Sequence, residues 1–94
     1  MNNTLIAAIR NYNETTPNPL TLLDALIINH IASNEYTTDY DLAQNTLCSE
    51  RTIKRAITKL CDLNFLIKHY DKNNTKHVTI NQTSYHNLLG DLNV

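Results

Sequence analysis

Apolar residues recur at α-helical spacing in five stretches of the chain, which predict helices over residues 4–12, 20–32, 39–46, 50–63 and 84–92. Thr21 and Asp24 suit a capping box at the start of the second helix, and Ser49 suits an N-cap for the fourth. The second helix has a broad apolar face, which predicts burial against more than one neighbouring element. That face consists of Leu22, Leu23, Leu26, Ile27 and Ile31.

Two further stretches, 65–70 and 76–81, are rich in aromatic and β-branched residues and predict the strands of a β-hairpin. Residues 71–75 between them are turn formers, so the hairpin is expected to have a polar, basic tip. Asn64 tolerates the left-handed conformation that ends many helices. Residues 35–37 are compatible with a short edge strand. With no internal repeat or linker, residues 1–94 are expected to form one mainly α domain with a small β-hairpin.

The predicted fourth helix separates apolar from polar residues. Its core-facing side consists of Ile53, Ala56, Ile57 and Leu60. Its opposite side carries Arg51, Arg55, Thr58 and Asp62, flanked by Lys54 and Lys59. The third helix is predicted to turn Leu42 and Ala43 inward.

Most of the positive charge lies in this part of the chain. The segment from Glu50 to His77 holds seven of the eight Lys and Arg residues against three acids, a net charge of +4. The remainder holds one Arg against six acids, a net charge of −5. An oriented field of this kind can aim one face at phosphate groups. A solvated face with a chance excess of lysine is the alternative, and charge alone does not separate the two.

Three helices followed by a two-stranded hairpin is the element order of a winged helix-turn-helix. Residues 20–81 resemble that family through Leu42-Ala43, Ser49-Glu50-Arg51-Thr52-Ile53-Lys54-Arg55-Ala56-Ile57, Leu60 and Leu63-Asn64-Phe65-Leu66-Ile67. They look most like the winged helices of phage and plasmid replication proteins and of MarR-type regulators. The resemblance implies sequence-specific binding of double-stranded DNA, and regulation of transcription or replication of a phage- or plasmid-like element. Helices 4–12 and 84–92 would be additions to the winged-helix core.

In this family the second helix of the motif enters the major groove, and the hairpin, or wing, contacts the DNA backbone or minor groove. On the fourth helix the resemblance implies DNA contacts from Ser49, Arg51, Thr52, Lys54, Arg55, Thr58 and Lys59. On the wing it implies contacts from Lys68, His69, Lys72, Asn73, Asn74 and Lys76. Arginine suits bidentate contact with guanine, and threonine can bond a base edge or a phosphate.

Two positions depart from the family pattern, which usually has a glycine in the turn of the motif and another before the wing. Leu47 occupies the first position and predicts a different or longer turn between the third and fourth helices. Asn64 occupies the second position. That change is mild, because asparagine adopts positive φ more readily than most residues.

Other chemistry has little support in the sequence. Cys48 and Cys61 are predicted near opposite ends of one helix, 13 positions apart. At about 1.5 Å per residue this separation excludes a disulfide between them. His69 and His77 are predicted to face each other across the hairpin, but no carboxylate or thiolate is expected beside them to complete a metal site. The sequence has one glycine, no phosphate loop and no nucleophile–base pair. We therefore expect no enzyme activity, cofactor or metal. Without a secretion signal or a membrane-spanning stretch, a cytoplasmic protein is expected.

Two interpretations remain open for the terminal helices. Their apolar residues either cover the core or form a two-fold interface that places two copies on successive turns of DNA, and we expect a homodimer. These residues are Leu5, Ile6, Ile9, Tyr12, Tyr85, Leu88, Leu89 and Leu92. A winged helix that docks a partner protein without binding DNA is the main alternative function. A small metal or redox protein built on Cys48 and Cys61 is a further alternative.

Overall fold

A computed structural model describes residues 3–34 and 36–90 of the chain. The described helices are α1 (Asn3–Thr15), α2 (Leu22–Ala32), α3 (Asp39–Thr46), α4 (Glu50–Asp62) and α5 (Gln82–Gly90). The strands are β1 (Leu66–Tyr70) and β2 (Lys76–Ile80). The predicted mainly α fold with a hairpin is confirmed. The last helix begins two residues earlier than predicted, and its predicted end at Leu92 lies outside the described residues.

Local capping places the starts of three helices. The predicted capping box of α2 is confirmed, with 3.1 Å between Asp24 N and Thr21 Oγ1 and 2.8 Å between Thr21 N and Asp24 Oδ2. A second box starts α3, where Thr38 and Asp41 exchange hydrogen bonds of 3.2 and 3.1 Å. Ser49 caps α4, as predicted, by accepting a hydrogen bond from Thr52 N at 3.2 Å. Each cap satisfies backbone donors that the first helical turn leaves free.

The hairpin pairs β1 and β2 in antiparallel register, with Leu66 opposite Ile80 and His69 opposite His77. The predicted edge strand at 35–37 is reduced to one bridge, in which Val78 N donates to Thr37 O at 3.0 Å. Glu35 lies outside the described residues. The bridge ties the connection between α2 and α3 to the free edge of β2.

The core lies between the helices and the inner face of the hairpin. Its largest fully buried apolar residues are Leu5, Ile27, Ile28, Leu42, Ile53, Ile57, Leu60 and Val78. The predicted inward faces of α3 and α4 are confirmed at Leu42, Ala43, Ile53, Ile57 and Leu60. The terminal helices also cover this core through the buried Ile9 and Leu88 and through three half-buried residues, Tyr12, Tyr85 and Leu89.

The predicted apolar faces of α1 and α2 are partly wrong. Ile6, Leu22 and Leu26 are 39%, 72% and 38% exposed, whereas Ala8 and Ile28 are buried. The reason is that α2 packs against α1, α3, α4 and β2 at once, which rotates its buried side toward Ile27, Ile28 and Ile31. Apolar spacing alone does not identify which part of a broad face becomes buried.

The expected different or longer turn between α3 and α4 is also wrong. Leu47 itself adopts the left-handed conformation that glycine usually provides, with φ 57° and ψ 30°. The helices are thus joined by the short segment 47–49. For a leucine this backbone conformation costs about 1–2 kcal/mol. The prediction for Asn64 is confirmed, because its φ is 66°.

Candidate nucleic-acid interface

Helix α4 presents a polar outer face from a firmly held base. Ile53, Ile57 and Leu60 are fully buried and fix the helix to the core. At its N-terminus, Ser49 Oγ lies 3.0 Å from Thr52 Oγ1 in addition to capping the Thr52 amide. Anchoring and capping together set the position and direction of the first helical turn.

Four predicted site residues of α4 lie together on this outer face: Arg51, Lys54, Arg55 and Thr58. Their spacing of three, four and seven residues places them on the same side of a helix. All four are exposed, as is Thr52. Thr58 Oγ1 donates to Lys54 O at 2.9 Å, which leaves its lone pairs free to accept a hydrogen bond. We call these four residues the α4 outer face.

Lys59 is directed elsewhere. Its Nζ lies 2.7 Å from Asp24 Oδ2 and donates to Pro19 O at 3.0 Å. Asp24 is buried, with only 2% of its surface exposed, so its carboxylate depends on this ammonium and on the Thr21 amide. The pair fastens α4 to the start of α2. No local pattern in the sequence points to it, because Asp24 and Lys59 are 35 positions apart.

The wing tip is exposed and held by one carboxylate. Asp71 Oδ1 accepts hydrogen bonds from Asn73 N at 2.8 Å and Thr75 N at 2.9 Å. Asn74 has a φ of 61°, which asparagine tolerates in such turns. The predicted site residues Lys72, Asn73 and Asn74 are therefore displayed on an ordered turn.

The two remaining lysines of the wing lie on the side of the hairpin that faces the core and α4. Lys68 is opposite the buried Val78 in the register and is exposed, whereas Lys76 is half-buried. Lys76 Nζ lies 3.0 Å from Asp39 Oδ2, so Lys76 ties the wing to the first turn of α3. The positive charges of both ammonium groups favour a lower pKa for the Cys61 thiol, near the end of α4.

His69 lies on the opposite face of the hairpin. Its ring stacks on His77 with centroids 5.0 Å apart, and His77 stacks on Tyr36 at 4.5 Å. His69 Nε2 also lies 2.8 Å from Thr79 Oγ1. The predicted cross-strand placement of the two histidines is confirmed. The structure thus separates His69 from the cationic groups of α4.

The two cysteines are free thiols. Burial raises the pKa of the Cys61 thiol, while the charges of Lys68 and Lys76 act in the opposite direction. Within residues 3–34 and 36–90, no three His, Cys, Asp or Glu side chains are arranged to hold a metal ion. None of the helices in these ranges combines the length and hydropathy needed to cross a bilayer.

The fold is that of winged-helix transcription regulators. MepR, a transcription regulator of the Staphylococcus aureus multidrug efflux pump MepA, superposes with a TM-score of 0.72 at 13% identity, over 94% of this chain and 64% of that one. The transcriptional regulator BldR of Sulfolobus solfataricus gives 0.67 at 22% identity, over 90% and 63%. The transcriptional regulator SlyA gives 0.66 at 19% identity, over 96% and 68%. The chain thus spans less than two thirds of MepR and BldR. No protein-family model and no curated protein matches the sequence.

Proposed function

We propose that this protein binds double-stranded DNA with sequence preference and thereby regulates transcription. The observation that carries the proposal is the α4 outer face, where three cations and a threonine are exposed together on one side of a capped, anchored helix. A helix is narrow enough to enter the major groove, where base edges are distinguishable. The fold shared with transcription regulators supports the same conclusion.

In the proposed complex the N-terminal half of α4 lies in the major groove. Arg51 and Arg55 supply bidentate donors for guanine, and Thr52 supplies a hydroxyl for a base edge or phosphate. Phosphate contacts come from the exposed lysines of α4 and the wing, and the wing tip adds two amides; these residues are Lys54, Lys68, Lys72, Asn73 and Asn74.

Other predicted site residues have supporting roles in this proposal. Lys59 and Lys76 hold α4 and the wing through their ion pairs with Asp24 and Asp39. Ser49 positions the first turn of α4. His69 belongs to the ring stack on the far face of the wing. Control of replication of a phage- or plasmid-like element would use the same DNA contacts. We favour transcription because the neighbours in fold are transcription regulators.

The test compares DNA binding by the parent protein and by Arg51→Ala/Arg55→Ala. Fluorescence anisotropy would use duplexes selected by the parent protein from a random pool, with random duplex as competitor. We expect the variant to lose sequence preference, at about 1–3 kcal/mol for each base that an arginine no longer reads. The matched control is Arg10→Ala, which removes an exposed cation from α1, outside the basic segment. Equal loss in the control, or parental binding by the double variant, would contradict the assignment of the α4 outer face.

A second experiment separates phosphate contacts from base contacts. Lys72→Ala should weaken binding to all duplexes alike, because phosphate carries no sequence information. The slope of log affinity against log salt should fall in magnitude by about one for each phosphate that the variant no longer neutralises. An unchanged slope would remove the wing tip from the proposed interface.

We also propose that the protein forms a homodimer. Most apolar residues of the terminal helices are used within the core, but Ile6 and Leu22 line one groove between α1 and α2 and remain exposed, with Leu26 exposed one turn further along α2. A second copy or a partner protein would cover this surface. Sedimentation velocity at micromolar concentration is expected to show a dimer that Leu22→Asp dissociates. A monomer throughout would leave partner docking as the role of this surface.

The alternative function is docking of a partner protein without DNA binding. Absence of any DNA shift at about 50 μM protein and low salt would favour docking as the function of the whole domain.

A further inference from the structure

Leu47 combines two unfavourable features at one position. The residue is 93% exposed, more than any other large apolar residue that the structure describes. Its backbone is left-handed, which bulky residues rarely adopt. At the two other left-handed positions within residues 3–34 and 36–90 the chain uses asparagine, Asn64 and Asn74. Asparagine at position 47 would avoid both the exposed apolar side chain and the unfavourable backbone conformation, yet the chain has leucine there.

Leu47 lies next to the end of α4 that is proposed to contact DNA. Leu47 ends α3 and lies two residues before Ser49, the N-cap of α4. The first turn of α4 carries the exposed side chains of Arg51 and Thr52. In the proposed complex this end of α4 enters the major groove, so Leu47 lies at the rim of the protein–DNA contact. Strained residues that the fold retains are concentrated at binding surfaces.

We propose that Leu47 contacts the C5-methyl group of a thymine and thereby adds a preference for thymine beside the base pairs contacted by Arg51. This inference rests on the proposed DNA-binding function. The thymine methyl is the apolar group that base pairs display in the major groove. Contact with it covers the leucine side chain in the complex, whereas the free protein leaves it in water.

The test measures the effect of removing the methyl group from the DNA. The probe is a duplex selected by the parent protein, compared with the same duplex in which deoxyuridine replaces every thymidine. We expect the parent to bind the deoxyuridine duplex about fourfold more weakly for each methyl group that is no longer buried. Leu47→Asn should bind the thymidine duplex more weakly than the parent and should lose the part of the deoxyuridine effect that comes from Leu47. Leu47→Met should retain it.

Two controls keep folding and surface apolarity apart from the DNA contact. Ile67→Thr replaces another exposed apolar side chain, on the face of the hairpin that carries His69, and should leave the deoxyuridine effect unchanged. Leu47→Asn should melt at a temperature no lower than the parent, because asparagine accommodates the left-handed backbone better. A loss of DNA binding in Leu47→Asn is then not a loss of folding.

Parental binding of the thymidine duplex by Leu47→Asn would overturn the inference, and so would a full deoxyuridine effect in that variant. A change in sedimentation of Leu47→Asn with unchanged DNA binding would also overturn it, because it would assign Leu47 to a protein contact. Failure of the parent to bind any duplex would instead refute the proposed function itself. The two failures are therefore distinguishable.

Discussion

Replacing Lys59 with methionine should destabilise the fold while leaving DNA affinity unchanged. The substitution keeps an unbranched apolar stem but removes the ammonium that lies 2.7 Å from the buried carboxylate of Asp24. A hydrogen bond to a charged group contributes about 1.5–3 kcal/mol, and breaking a fully buried ion pair costs about 3–5 kcal/mol. The Lys59 side chain is 36% exposed, so solvent screens the pair. We therefore expect a loss of about 1.5–3 kcal/mol.

Urea denaturation followed by circular dichroism would measure this loss. For a slope of about 1–3 kcal/mol/M, a loss of about 2 kcal/mol lowers the midpoint by roughly 1 M. A double-mutant cycle with Asp24→Asn isolates the coupling between the two side chains. We expect the double variant to lose less stability than the sum of the two single losses. The reason is that Asp24→Asn removes a charge that Lys59→Met has already left without its ion-pair partner.

The matched control is Lys54→Met, on the exposed α4 outer face of the same helix. This variant should change stability by no more than about 0.5 kcal/mol and should weaken DNA binding. Binding would be measured at about 0.15 M salt, where charges more than about 8 Å apart are largely screened. If Lys59→Met weakens DNA binding as Lys54→Met does and leaves the urea midpoint where it was, Lys59 is a DNA contact and its structural role is refuted.

Two further predictions concern the supports of the site. Thr38→Ala removes the side-chain acceptor of the α3 capping box and should cost about 0.5–2 kcal/mol in thermal or urea unfolding; Thr38→Ser, which keeps the oxygen, should cost much less. Burial raises the pKa of the Cys61 thiol from 9.0, so the folded protein holds this proton more tightly than the unfolded chain. The free energy of unfolding should therefore fall as pH rises above about 9, and Cys61→Ser should lose this component. A parental pH profile that the serine variant reproduces would show that Cys61 is not responsible.

The local rules of the sequence determined where α2, α3 and α4 begin and which side of α4 faces outward. Thr21, Thr38 and Ser49 act on amides within three residues, so their effect does not depend on the rest of the fold. The helical spacing of Ile53, Ile57 and Leu60 likewise required the remaining side of α4 to be polar and exposed. The candidate DNA-contacting residues of α4 follow from that periodicity, with Lys59 as the exception.

Only the tertiary structure decided the partners of residues far apart in the chain. The burial of Asp24 beside Lys59 depends on how α2 crosses α4, and the exposure of Leu22 depends on four elements packing around one helix. The left-handed backbone of Leu47 is set by the packing of α3 and α4 against the core, which overrides the preference of leucine. Capping and periodicity act between neighbours within about four residues and are visible in the sequence, whereas these contacts depend on the packing of the whole chain.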